Sequence, residues 1–443
     1  MYLSEFLDKS KKNTSFHMPG HKEKYKIFER DYIKYDKTEY GDLDNLQKPE
    51  GIIASSIKRI ERVYGSKKSF ILVNGSTCGI LASMFYALHE GDKIIIPRGC
   101  HKSVYNGLLI TKTCPLFLYN ENKFSRTYDL QLIEKYFKKG AKGIVVTSPT
   151  YEGIVMNVKE VSEVAKKYNG FIIVDEAHGA HFALHREFPS SSVKYGDFII
   201  NSTHKTLPTF TQTALLHIGE KIDGEKMQTI VNIFQSTSPS YMLMYSIDKF
   251  FHNYENNIFD FDNYISVLKR FRNKCNSLKN IFLLESELSR FTFYSYKISG
   301  FNMNKYLYEN KIETEMYLDN YIVCISTICD TEDDLNKLFY TMEKLDKSIN
   351  SAPIVEANGY KNIIPKGNFN CNYLRTKGKY IKLNEAEGCI AKDFIIPYPP
   401  GIPILVPGEI ISSEIIKTLL CYIENKEVLG ITKNNEILVY DEK

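Results

Sequence analysis

Short apolar runs separated by longer amphipathic stretches fill the first half of the chain. Phe70 to Val73, Lys93 to Ile96, Gly143 to Thr147, Phe171 to Val174 and Phe198 to Ile200 read as buried strands. Ile80 to Leu88, Leu130 to Lys138 and Val158 to Lys167 read as helices between them. Strand and helix in alternation predict an α/β fold, a mainly parallel sheet of the seven-stranded type with helices on both faces. In such sheets ligands collect beyond the carboxyl ends of the strands.

The second half is patterned differently. Ser246 to about Lys279 holds neither Pro nor Gly and reads as one long helix. Beyond it, apolar runs at Phe291 to Ile298 and Asn320 to Ile325 alternate with helical stretches at Met303 to Glu309 and Thr331 to Leu345, the makeup of a small α/β lobe. Asn350 to Gly378 is polar and turn-rich, a loop or linker, and the prolines of Ile396 to Glu409 exclude regular helix and central strand. The expected division is an N-terminal arm, 1–50, a large domain, 51–260, and a linker helix with a small C-terminal domain, 261–443. There is no internal repeat.

Three of the strand ends carry chemistry. Asp175-Glu176-Ala177-His178 closes the run at Phe171, and Ser202-Thr203-His204-Lys205 follows the run at Phe198. A lysine amine and a carboxylate at neighbouring strand exits are what pyridoxal phosphate requires: the amine condenses with its aldehyde and the anion keeps its ring nitrogen protonated. Asn74-Gly75-Ser76-Thr77, where a strand gives way to a helix, adds backbone N–H groups and hydroxyls suited to a phosphate ester. Singly, each is more simply read as a helix cap or a solvated side chain. Their joint arrival carries the argument.

Composition narrows the class further. A chain of 443 residues is long enough for a large core and a second domain. The net charge of +4 is spread among mixed signs, which implies neither a nucleic-acid nor a membrane surface. Nine cysteines, with no CxxC and no His/Cys grouping, fit reduced thiols rather than disulfides or a metal site. Met1 to Lys12 is too charged for a signal peptide, and no apolar stretch is long enough to span a bilayer. A cytoplasmic enzyme acting on a small molecule is expected.

Phe16-His17-Met18-Pro19-Gly20-His21-Lys22, Val73-Asn74-Gly75-Ser76-Thr77, Cys100-His101-Lys102-Ser103, Thr147-Ser148-Pro149-Thr150-Tyr151, Asp175 to His181, Ser202 to Leu207, Gln235 to Tyr241, and Pro397 to Gly401 with Pro407-Gly408-Glu409 together resemble the ordered signature of the Orn/Lys/Arg decarboxylases. These are fold-type-I enzymes dependent on pyridoxal 5′-phosphate. The matches are dense to Tyr241 and loose from about Asp248 to Glu385. A compact form, without the long N-terminal extra domain of the larger acid-inducible relatives, is expected.

The resemblance implies a role for each position. Lys205 takes the cofactor aldehyde, Asp175 pairs with the ring nitrogen, and Ala177 lies under the ring while His101 stacks over it. His178 faces the ring hydroxyl oxygen or lies beside it. Ser76, Thr77 and Ser202 take the phosphate, with Ser236 and Ser238 supplied by a neighbouring subunit, so a homodimer with shared sites is implied. His204 orients the substrate carboxylate, touches the phosphate or packs. His17 and His21 belong to an arm near the site mouth or to a purely structural one. The implied reaction is decarboxylation of arginine, lysine or ornithine to an amine, feeding polyamine metabolism. An aminotransferase, an acyl-CoA condensing enzyme and a catalytically silent relative are the alternatives, because Asp-x-Ala-His and Ser-x-x-Lys are shared across the fold. Two positions depart from the family: Glu152 follows Tyr151 where many relatives have a second Tyr, and Cys389 follows Gly388 where Arg is usual. Glu152 either meets a cationic substrate tail or faces solvent.

Overall fold

The computed structural model describes residues 14–17, 20–22, 24, 35–39, 43–119, 124–318, 320–353, 365–398, 401–424 and 427–441. Met18, Pro19, Pro399 and Pro400 of the motifs above, with most of the expected arm, lie outside the described residues. The chain divides into two compact units that interleave in sequence. The first comprises 1–79, 148–156 and 174–359, and the second 80–147, 157–173 and 360–443.

Seven strands form the main sheet: β1 (Lys68–Leu72), β2 (Lys93–Pro97), β3 (Cys114–Leu118), β4 (Ala141–Thr147), β5 (Phe171–Asp175), β6 (Phe198–Asn201) and β7 (Ala214–Ile218), in the order β1-β7-β6-β5-β4-β2-β3. β2 is parallel to β3 and β4, whereas β7 runs antiparallel to both β1 and β6. The result is an α/β sheet, mostly parallel as expected and made mixed by the antiparallel β7. Its interior strands are buried on both faces, and for that reason they read as continuous rather than alternating apolar runs.

Helix ends follow their capping residues. Asp129 accepts from Leu132 N–H at the start of Leu130–Lys138, and Asn157 from Glu160 N–H at the start of Val158–Lys167. The stretch expected to be one long helix is two, Tyr241–Glu255 and Phe261–Cys275. Asn257 adopts a left-handed φ of 53°, ending the first, and Asp260 caps the second by accepting from Asn263 N–H. Neither residue interrupts the helical pattern of apolar positions, which is why the break is silent in it.

The first unit also contains a four-stranded antiparallel sheet, ordered Met316–Leu318, Tyr321–Ile325, Arg290–Ser295, Ile281–Leu283. Helix Glu332–Ser348, opened by a Thr331/Asp334 capping box, packs on helix Phe261–Cys275. Among the described residues no helix is long and apolar enough to cross a membrane, and all nine cysteines are free thiols.

Candidate active site

Lys205 sits on a single short helical turn, Thr203–Thr206, that leaves the end of β6. Asp175 ends β5, and Ala177 and His178 follow it in a tight turn. The amine of Lys205 lies 3.0 Å from Nε2 of His178 and 5.5 Å from the centre of the Tyr151 ring. That ring in turn lies against the His178 imidazole, with centroids 4.6 Å apart. Asp175 is buried, and one of its carboxylate oxygens accepts from Ala177 N–H at 3.2 Å.

Burial acts on both charges. Desolvation raises the Asp175 pKa while the attraction of Lys205 opposes it. Desolvation also lowers the Lys205 pKa, reinforced by Arg290 and resisted by Asp175 and Glu315. The amine is thereby moved toward the neutral form that a nucleophile needs.

Ser202 holds the N-cap position of the Lys205 turn, yet its hydroxyl makes no capping bond. The oxygen is fully buried and has no hydrogen-bond partner among the described residues. A serine at that position ordinarily caps, so a buried, unused hydroxyl marks a place for an acceptor from outside the chain. Ser76 and Thr77 lie in the first turn of helix Gly75–Ala87, where backbone N–H groups are not used within the helix. Ser236 and Ser238 are exposed, and their loop is closed on itself by Ser238 N–H donating to Ser236 Oγ at 3.2 Å.

His204 points its Nδ1 at the Thr213 carbonyl at 2.9 Å. Burial, together with the Lys205 charge and against the pull of Thr213, holds its pKa down to about 4, so the ring is neutral at physiological pH. Its own carbonyl accepts from Gly20 N–H at 2.6 Å. A β-carbon at Gly20 would lie 2.5 Å from the Leu207 carbonyl oxygen, so only glycine fits there against the lysine turn. His17 Nδ1 is 2.7 Å from the Glu315 carboxylate. Burial works against its charge, but the bond and charge of Glu315 prevail and raise its pKa. His21 packs edge-on to Phe210.

His101 belongs to the second unit. It caps helix Lys102–Thr111, its Nδ1 accepting from Ser103 N–H at 3.2 Å. Glu152, 7% exposed, is no solvent-facing substitution: Tyr321 Oη donates to its carboxylate at 2.8 Å. Cys389 is partly buried, and its N–H donates to the Ala386 carbonyl at 3.1 Å.

Sequence reasoning missed the residues behind His178. Arg290 is completely buried and its Nη2 lies 3.1 Å from His178 Nδ1. Glu287 accepts from Ser289 N–H at 2.8 Å and pairs with His181 at 3.2 Å. Both come from the stretch where the family resemblance is loose. The one available signal was the crowding of charged residues into Glu285 to Arg290 just before an apolar strand.

Residues 2–286 match the family model of the Orn/Lys/Arg decarboxylase major domain, and residues 361–429 that of the corresponding C-terminal domain. The chain belongs to the Orn/Lys/Arg decarboxylase family. It is 30% identical to an uncharacterized Bacillus subtilis protein, YaaO, over 97% of this chain and 96% of that one. It is also 28% identical to an arginine decarboxylase of Bacillus subtilis, covering 91% of this chain and 89% of the relative. The lysine decarboxylase LdcF of Francisella novicida superposes with a TM-score of 0.75 at 19% identity, over 99% of this chain and 83% of that one, a likeness of fold.

Membership in the Orn/Lys/Arg decarboxylases makes the chain an amino-acid decarboxylase dependent on pyridoxal 5′-phosphate, of the fold-type-I architecture. The residues present fit that cofactor: an amine moved toward neutrality, a buried carboxylate beside it, the small Ala177, and the unpartnered Ser202 hydroxyl.

Proposed function

We propose that this chain releases CO₂ from arginine, lysine or ornithine, as a cytoplasmic homodimer, leaving an amine for polyamine metabolism. The Lys205–His178 contact beside the buried Asp175 is the observation that carries the reading. Arginine is the first candidate, because relatives of that name match over nine-tenths of the chain. Lys205 would carry the cofactor, Asp175 would hold its ring nitrogen in the protonated state, Ala177 would lie under the ring, and Ser76, Thr77 and Ser202 would receive the phosphate. His101 keeps the stacking role on its sequence match, and Ser236 and Ser238 serve the partner's site. Once bound, pyridoxal phosphate supplies the electron sink for the bond that breaks. The remaining work belongs to the chain: Lys205 receives the substrate as a neutral amine, His178 holds a proton at its edge, and the neutral His204 ties the turn to the Thr213 backbone.

Purified enzyme incubated with each of the three amino acids should form one amine and CO₂ with no requirement for a keto acid. Keto-acid-dependent turnover would move the chain among the aminotransferases. Asp175→Asn should retain the cofactor and lower turnover by roughly a hundred- to a thousandfold, the scale for one preorganised electrostatic group; near-normal turnover removes Asp175 from the ring-nitrogen role. Mixed dimers of Lys205→Ala with Ser236→Ala/Ser238→Ala should regain activity, since one of their sites has both an intact lysine and intact serines. Mixed dimers no more active than the parents would show that each subunit builds its site alone.

A further inference from the structure

Behind His178 the structure places a charge that the reaction as described does not use. The Arg290 side chain is completely buried, on the strand Arg290–Ser295. Nη2 lies 3.1 Å from Nδ1 of His178, and Nε and Nη1 have no hydrogen-bond partner among the described residues. Nε approaches the Glu287 carboxylate no nearer than 3.8 Å. On the far side of the same imidazole, Nε2 lies 3.0 Å from the Lys205 amine.

A guanidinium has only donors, so the ring nitrogen facing it must accept. Nδ1 therefore carries no proton, and in the neutral ring the proton is on Nε2. That N–H points at Lys205, which can accept it only with the lone pair of an uncharged amine. The opposite arrangement, an ammonium donating to Nε2 of a ring protonated on Nδ1, would bring two donors face to face at Arg290 across 3.1 Å, too short for a water to stand between them, at a buried site where an unmatched polar pair is costly.

We infer that Arg290 is a positioning residue: it fixes His178 as the Nε2–H tautomer, so that Lys205 meets a donor and stands as the free amine, and the same N–H is held ready for an oxygen that later occupies the place of the amine. Glu287 supplies the countercharge at 3.8 Å from Nε, itself held by His181 and Ser289. The inference deepens the decarboxylase reading and rests on it only for the kinetic arm of the test below.

The tautomer is directly observable. In two-bond ¹H–¹⁵N spectra of full-length protein labelled at histidine, recorded with and without cofactor, the signal abolished by His178→Gln should show an unprotonated Nδ1 and a protonated Nε2. Arg290→Met should convert it to a mixture containing the Nδ1–H form, and Arg290→Lys, which keeps a cationic donor, should restore the single form. Should Arg290→Met fail to fold, Arg290→Gln serves, because its amide turns to donate or accept and loses the discrimination. A wild-type ring protonated on Nδ1, or an unchanged ring in both uncharged variants, overturns the proposal whatever the enzyme's substrate. In turnover, Arg290→Met should lower kcat by roughly ten- to a hundredfold, the usual cost of losing the support behind a working side chain, with KM little changed. A raised KM with the tautomer intact would mean that the guanidinium binds substrate itself, and also overturns the proposal.

Discussion

Among the described residues two arginines are buried, one in each compact unit, and they are held in opposite ways. Arg98, at the end of β2, is saturated. Its Nε and Nη2 form a two-pronged pair with Glu409 at 2.9 and 2.7 Å, and Nη1 and Nη2 also donate to the carbonyls of Pro403 and Ile404. Burial penalises the charge, yet Tyr105 and Glu409 more than compensate, and its pKa lies above the ordinary value. Arg290 donates to one imidazole, leaves two of its nitrogens without a hydrogen bond among the described residues, and has its pKa lowered by burial. A fork matched to a carboxylate fixes a loop, here the proline-rich stretch ending at Glu409. A fork left mostly unmatched is tolerated where the protein needs its charge.

Separating stability from catalysis at the two sites gives the largest effect. Arg98→Met should destabilise the fold by about 3–5 kcal/mol, the cost of leaving a buried carboxylate without its partner, seen as a lower urea midpoint. Arg290→Met should cost about 1–3 kcal/mol, because Glu287 keeps His181 and Ser289. Equal shifts for the two variants would erase the distinction between them.

Acid sharpens it. His181, the charge of Arg290 and the Ser289 N–H outweigh burial and hold the Glu287 carboxyl down to about 2. A carboxyl depressed in the folded state stabilises it above the unfolded pKa of about 4.3, and that stability fades as pH falls toward the folded value. Glu287→Gln should therefore flatten the loss of stability between about pH 4.3 and 2, measured by urea midpoints across that range; an unaltered acid limb would show that Glu287 does not titrate there.

The smallest effect lies on the Arg98 side. Gly401 has a φ of +82°, and a β-carbon there would lie 3.2 Å from His101 Nε2. Gly401→Ala should cost about 1–2 kcal/mol from the left-handed backbone alone, and the His101 ring resonances should shift. Unmoved resonances would mean that the added methyl leaves the ring undisturbed.

The two arginines also show what the sequence makes legible. Helices Leu130–Lys138 and Val158–Lys167 end where the pattern and their caps place them, and β5 and β6 announce themselves as apolar runs stopped by polar residues. Lys205, His178 and Asp175 stand out because each is the first chemistry after a strand. Arg290 does not, since its meaning lies in a bond to a residue 112 positions away, and periodicity carries no information on such pairings. The break at Asn257 was hidden for a related reason: a single left-handed residue leaves the apolar spacing on either side intact.

The glycine beside the lysine turn has a consequence for synthesis. Gly20 donates to the His204 carbonyl and accepts from the Thr327 hydroxyl at 2.7 Å, while Thr14–Phe16 pairs in parallel with Ile312–Thr314. Thr14–Phe16 thus has its partners among residues made some 300 positions later. At about 5–20 residues per second it waits roughly 15–60 seconds. Until then the lysine turn lacks this cover, and a nascent chain stalled short of residue 312 would carry Lys205 with one wall of its surroundings still unbuilt.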